Sequence, residues 1–229
     1  MKNRIAIIPA RGGSKRIPRK NIKSFQGKPI IAYPIETLIH SGLFDRVIVS
    51  TDDEEIATIA KQLGAEVPFL RSSENASDTA ATYPVIKEVL DNLKGNGQTF
   101  ETICCVYPTS VFVTSGMIQT SVQKLENENL NSVVAITKYA HPIQRAIAVN
   151  NGLANFKHPE FSQTRTQDLE TFFHDTGQFY ILDQSIFEKH QSFFTNSTGY
   201  FEFPESLVQD IDNEEDWKLA EIKFQMLKS

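Results

Sequence analysis

Apolar positions along the chain follow two patterns that take turns. Short unbroken runs at residues 5–8, 46–50, 102–107, 132–137 and 177–182 have the length and β-branched content of strands buried on both faces. Between them, apolar residues three and four apart predict amphipathic helices. One opens at Pro29, carries Ile30, Ile31, Ile35, Leu38 and Ile39, and closes at Gly42. Others run to Gly64, through Val85 to Leu93, from Ser115 to Glu128, around 184–190, and through Ala220, Phe224 and Leu227. Residues 66–70 and 200–204 read as further short strands. Strands alternating with helices predict an α/β fold: a mostly parallel mixed sheet between two helix layers, in one domain over residues 1–229. The rhythm breaks at residues 141–171, where two short runs flank Asn150-Asn151-Gly152 and predict a hairpin excursion, the kind of segment that forms a lid or a subunit contact.

Composition narrows the class. With 40% hydrophobic and 22% charged residues the chain has the balance of a globular protein, and its net charge of −5 argues against a general nucleic-acid binder. The only cysteines, Cys104 and Cys105, are neighbours in a strand and point to opposite faces, so they are expected to be buried thiols in a reducing compartment. No apolar run is long enough to span a bilayer or serve as a secretory segment, which predicts a cytoplasmic protein with no membrane partner.

Charge is distributed unevenly. Arg11, Lys15, Arg16, Arg19, Lys20, Lys23 and Lys28 fall within eighteen residues that contain no acid. They lie between the first strand and first helix, a connection far longer than the usual 2–6 residues or so. Such a cluster is tolerated most easily where a multiply charged anion occupies it. Gly12 and Gly13 let backbone N–H groups approach a ligand, and Ser14 adds a donor, yet neither G-x-x-x-x-G-K-[ST] nor G-x-G-x-x-G is present. The stretch predicts a polyphosphate cradle of another kind.

A polyphosphate normally travels with Mg²⁺, which takes hard oxygen ligands. Asp210 and Asp212 alternate in an extended segment, so their carboxylates face the same way and form the candidate metal pair; Asp212 with Glu215 also fits a capping box for the last helix. Asp52, with Glu55 as partner, is placed to cap the helix after the second strand, at the sheet edge where ligands bind in open α/β folds. His174 beside Asp175 has no triad or metal spacing around it.

These residues resemble a known family. Ala10-Arg11-Gly12-Gly13-Ser14-Lys15 with Lys20-Asn21, Ser50-Thr51-Asp52, Arg71, Pro108-Thr109-Ser110 and Asp210-Ile211-Asp212, in that order over nearly the whole chain, are similar to cytidylyltransferases that activate nonulosonic acids as CMP-sugars. Arg71-x-x-Glu74, Gln167-Asp168-Leu169 and the segment from Phe173 to Tyr180 resemble the pseudaminic acid branch more than the sialic acid branch, which usually shows Gln where Tyr107 stands. The resemblance implies a three-layer, Rossmann-like nucleotide-diphospho-sugar transferase fold and the reaction of CTP with a nonulosonic acid to give a CMP-sugar and pyrophosphate. It implies that Ala10 to Lys15, Lys20 and Asn21 hold the triphosphate, with Arg11, Lys20 and Asp212 catalytic. Arg71, Asp78 and Thr79 would lie against the nucleotide, and Asp210 and Asp212 would hold Mg²⁺. Tyr107, Arg165, His174 and Gln178 become the sugar-binding candidates. Residues 141–171 resemble the family's dimerisation segment, which implies a homodimer. Two other readings stay open: a 3-deoxy-manno-octulosonate or sialic acid cytidylyltransferase, and a non-catalytic polyanion-binding module.

Overall fold

The computed structural model describes residues 3–77 and 80–227; Asp78 and Thr79 therefore lie outside the described residues. Among the described residues ten strands and six α-helices follow one another: β1 (Arg4–Pro9), β2 (Ser24–Phe25), β3 (Lys28–Pro29), α1 (Ala32–Ser41), β4 (Arg46–Ser50), α2 (Glu54–Gln62), α3 (Thr82–Gly95) and β5 (Thr102–Val106) make the first half. The second half is α4 (Ser115–Asn127), β6 (Ser132–Lys138), β7 (Ile147–Asn150), β8 (Leu153–Phe156), β9 (Phe173–Asp183), α5 (Gln184–His190), β10 (Thr198–Phe203) and α6 (Glu214–Met226).

Six strands form one sheet in the order β10-β6-β9-β5-β1-β4. β1 pairs in parallel with β4 and β5, β10 pairs in parallel with β6, and β9 runs antiparallel between β5 and β6. Side chains alternate across this sheet, as a period of two requires. Ala6, Ile8, Val47, Val49, Cys104 and Val106 face one core, shared with α1, α2 and α4. Ile5, Ile7, Ile48, Ile103, Cys105 and Leu182 face the other, shared with α3 and α5. The fold is thus α/β in three layers. The two thiols are free, buried on opposite faces, and held above their ordinary pKa by burial. Among the described residues no helix is long and apolar enough to cross a membrane.

Local differences from the sequence pattern have identifiable causes. Pro29 does not open α1; it closes a two-residue ribbon in which Ser24–Phe25 pairs with Lys28–Pro29. Gln26 (φ 49°) and Gly27 (φ 97°) both adopt positive φ, the requirement of a tight hairpin turn, so α1 starts only at Ala32. Residues 66–70 do not form a strand, because beyond a single bridge from Ile48 to Glu66 the chain leaves the sheet edge. Asn151 and Gly152 turn the β7–β8 hairpin as expected, with φ of 51° and 77°.

Two features outside the main layers position the site. A third apolar cluster packs Ile17 and Phe25 of the long loop against Trp217 and Ala220 of α6, with the Phe25 and Trp217 rings edge to face at 5.5 Å. In β9 the pairing with β6 slips between Val134 and Ile136: residues 176–179 stand opposite Ala135 alone, and Thr176 and Gly177 lie in this irregularity. Gly177 takes φ 61° there.

Candidate active site

The site begins where β1 ends. Ala10 is fully buried and its N–H donates to the Ser50 carbonyl at 2.8 Å, which fixes the direction in which the loop departs. Gly12 then donates its N–H to Asp52 Oδ1 at 2.9 Å. Asp52 is therefore not the cap of α2; Asp53 is, accepting from the N–H groups of Glu55 and Ile56 at 3.0 Å each. Either aspartate could have capped the helix, and the contact with Gly12 decides between them. A Cβ on Gly12 would lie 2.7 Å from Asp53 Oδ2, which explains the glycine sterically, whereas a Cβ on Gly13 would meet nothing within 4 Å. Gly12→Ala is expected to push Asp53 off its cap and cost about 1–2 kcal/mol of stability, read as a lower thermal midpoint, while Gly13→Ala leaves it unchanged.

The basic residues are not one cradle. Arg16 bonds Asp212 at 2.7 Å, Lys23 bonds Glu214 at 2.7 Å and lies over the Trp217 ring, and Lys28 pairs with Glu36. Arg19, held at φ 57°, bonds Asp53 and Glu55, and its guanidinium keeps the Asp53 carboxyl below the usual range. Arg16, Arg19, Lys23 and Lys28 thus fasten the loop to α1, α2 and the start of α6 and supply its shape. Arg11, Lys15 and Lys20, and Arg16 with them, also line the cavities at this end of the sheet.

Three cavities meet at this end of the sheet. The first, of about 310 Å³, is lined by Arg11, Lys20, Asn21, Arg71, Asn75, Thr82 and Tyr107. The second, about 240 Å³, is lined by Ser14, Lys15, Arg16 and Asp212 and shares Arg11, Lys20 and Asn21 with the first. The third, about 490 Å³, lies against the β9 bulge and contains His174, Asp175, Thr176 and Lys223. Asp210 lines both the first and the third.

Individual groups are poised for anions and polar ligands. The Lys20 ammonium donates to the Ile211 carbonyl at 2.6 Å and sits 3.9 Å from Asp212; burial pushes its pKa down, opposed by Asp212 and Asp210. Asn21 is 5% exposed, its Nδ2 donates to the Arg11 carbonyl at 2.9 Å, and its buried Oδ1 has no partner, leaving an acceptor for a ligand. Arg71 is buried, with Nε on Ser50 Oγ at 3.0 Å and Nη2 on the Ser50 carbonyl. Partial desolvation, then the Asp212 charge, raises the Asp210 carboxyl above the usual carboxylate range. Asp212 does not start α6: Asn213 caps it, with Asp216 as the capping-box partner, and the Asp212 carboxylate is left to Arg16 and Lys20.

The sugar candidates divide. Tyr107 lines the first cavity; its hydroxyl meets Thr82 Oγ1 at 2.8 Å and burial pushes its pKa up to about 12. His174 lines the third, its Nδ1 donating to the Asp175 carbonyl at 2.9 Å. Gln178 is buried; its carbonyl accepts from Tyr107 N–H and Ser110 Oγ, and its side-chain Oε1 is buried with no partner. Arg165 stands on the excursion bonded to Asp168 at 2.8 Å, and it lines none of the three cavities. Residues missed from the sequence include Asn75, Thr82 and Lys223, which belong to no spacing motif and enter only because α3, α6 and the preceding loop converge.

A model of the family described as cytidylyltransferase matches residues 5–225. The pseudaminic acid cytidylyltransferase of Campylobacter jejuni serotype O:2 is 37% identical over 228 residues, covering 99% of this chain and 97% of that one. The CMP-N,N'-diacetyllegionaminic acid synthase of Legionella pneumophila is 31% identical over 226 residues, 95% and 94% of the two chains. Among solved structures, that of CMP:2-keto-3-deoxy-manno-octonic acid synthetase complexed with CTP superposes with a TM-score of 0.70 at 16% identity, over 99% of both chains, a likeness of fold. With the family model matching residues 5–225 and a pseudaminic acid cytidylyltransferase 37% identical over 99% of the chain, this chain belongs to the cytidylyltransferase family.

Proposed function

We propose that the protein transfers CMP from CTP to the anomeric hydroxyl of a nonulosonic acid, pseudaminic acid foremost, and releases pyrophosphate. The observation that carries this reading is Asp210, which forms part of the wall of both the cavity lined by Arg11, Lys20 and Arg71 and the cavity against the β9 bulge. Two reactants placed in those cavities meet at that wall, which is the entropic requirement for in-line attack on phosphorus. Arg11, Lys15 and Lys20 neutralise charge on the triphosphate and on the departing pyrophosphate, and Asn21 Oδ1 accepts a donor from the nucleotide.

Mg²⁺ fits the donor set. Two carboxylates one residue apart, one with a pKa raised by desolvation and by the other, are improved by a divalent cation, and Mg²⁺ characteristically takes one or two carboxylates plus substrate phosphates. Among the described residues no group of three or more His, Cys, Asp or Glu side chains could hold an ion unaided, so phosphate oxygens would complete the shell. Asp210 and Asp212 would hold it, and when bound it supplies a Lewis acid for the phosphoryl oxygens.

The excursion supports a homodimer. Ile147, Val149 and Leu153 are 59%, 68% and 67% exposed on a two-stranded hairpin that is marginal alone. Val149→Lys with Leu153→Lys is expected to convert a dimer into a monomer in light scattering; an unchanged mass would refute the contact. A reaction that consumes CTP belongs in the cytoplasm, in keeping with two buried free thiols.

Incubation with CTP, Mg²⁺ and pseudaminic, sialic or 3-deoxy-manno-octulosonic acid tests the assignment. Pyrophosphate release is expected with all or some of these and fastest with pseudaminic acid. Absence of any CMP-sugar by mass spectrometry would overturn it in favour of polyanion binding, a reading that the internal pairing of Arg16, Arg19, Lys23 and Lys28 already disfavours.

A further inference from the structure

Arg11, Lys20, Arg71 and Asn75 all line the first cavity. With the phosphates of a bound nucleotide on Arg11 and Lys20, the nucleobase is assigned to Arg71 and Asn75. The Arg71 guanidinium spends Nε and Nη2 on Ser50, which leaves Nη1 as a donor. Asn75 separates this cavity from an outer groove that contains Glu88 of α3. Its Nδ2 donates to Glu88 Oε2 at 2.7 Å, while Glu88 Oε1 accepts the Ser72 N–H at 2.8 Å. A carboxylate accepts only, so this bond determines which end of the Asn75 amide is nitrogen. One Nδ2 hydrogen is committed to Glu88, and Oδ1 is the acceptor that Asn75 can offer to the cavity it lines.

We propose that Glu88, acting through Asn75, selects cytosine over uracil: it holds the Asn75 amide so that an acceptor, beside the Arg71 donor, faces the base. Cytosine offers an amino donor at position 4 and acceptors at N3 and O2, which match an acceptor beside a donor. Uracil offers an acceptor at position 4, so its O4 would meet Asn75 Oδ1 oxygen to oxygen with neither desolvated group paired. Glu88 also carries charge toward Arg71 and is one of the acidic groups that favour its guanidinium cation. Glu88 is a positioning residue in this scheme, and Asn75 is the contact.

The inference rests on the reading of this cavity as the nucleotide site. Its test is the ratio of kcat/KM for CTP to that for UTP at saturating pseudaminic acid and Mg²⁺, with thermal midpoints measured alongside. The wild-type protein is expected to favour CTP strongly. Glu88→Gln, whose amide permits Asn75 to turn over, and Asn75→Ala, which removes the acceptor, are each expected to lower that ratio at least tenfold. Most of the change should appear in KM for CTP. If both variants lose CTP and UTP activity by the same factor, leaving the ratio in place, Glu88 merely supports the loop and the proposal falls. A wild-type protein that uses both nucleotides equally overturns it as well. Absence of pyrophosphate release from CTP by the wild type removes the nucleotide reading itself, and this proposal with it.

Discussion

Lys20→Ala is expected to lower kcat/KM for CTP by about 10²–10³, the effect of deleting one preorganised charge-stabilising donor. Lys20 is suited to that role by its constraints. Its Nζ is anchored to the Ile211 carbonyl at 2.6 Å, so little side-chain entropy is lost when a phosphate arrives, and it lines both cavities that Arg11 lines. Burial already depresses its pKa, so the folded chain holds this proton less tightly than the unfolded chain does. Removing the ammonium relieves that desolvation while losing one hydrogen bond, and the thermal midpoint should move little. Pyrophosphate release measured together with thermal unfolding separates the two roles. Activity within threefold of wild type would remove Lys20 from the chemistry, and a large fall in midpoint would make it structural.

Asp210→Asn should show opposite effects on activity and stability. Turnover is expected to fall by at least about 10² and to lose its dependence on Mg²⁺ concentration, because a neutral amide is a poor ligand for a hard cation. Stability is expected to rise at neutral pH. Desolvation and the Asp212 charge raise the Asp210 pKa, so the folded chain binds its proton more tightly than the unfolded chain. The ionised carboxylate therefore costs stability as pH rises from about 4 through that raised value, and the cost persists at neutrality. Asparagine abolishes this slope. Thermal midpoints between about pH 4 and 7 should converge for the two proteins at the acidic end and diverge toward neutrality, with the variant above. A variant less stable than wild type at pH 7 would contradict the raised pKa.

Much of the scaffold was legible because buried strands and amphipathic helices carry periodic signals. Arg46–Ser50 and Gln184–His190 lie where their patterns placed them, and Asn151-Gly152 turned its hairpin for the reason that dipeptide usually does. The direction of β9 was not legible, because an apolar run reads the same in parallel and antiparallel neighbours. Pro29 is ambiguous for a similar reason: a fixed φ near −65° suits an edge strand as well as a first helical turn. At the site, residue types were informative and partnerships were not. Asp52 and Asp53 are adjacent and chemically alike, and only the approach of Gly12 assigns one to the loop and the other to the helix. The seven cations looked like one ligand site because their acidic partners, Glu36, Asp53, Asp212 and Glu214, lie outside the stretch, two of them nearly two hundred residues away. Arg165, a candidate cation for the sugar's carboxylate, stands on the excursion beside Asp168.

The ties between the first loop and the start of α6 bear on how the protein is made. Arg16 to Asp212, Lys20 to Ile211 and Lys23 to Glu214 span 191 to 196 residues, and the Phe25–Trp217 contact seals them. Contacts so distant in sequence form late, after the loop-closure entropy has been met by the sheet. A nascent chain that already displays Arg11 to Lys28 at the ribosome exit cannot shape them until residues 211–217 have emerged. Residues 11–28 therefore take their final shape only once residues 211–217 are in place to brace them.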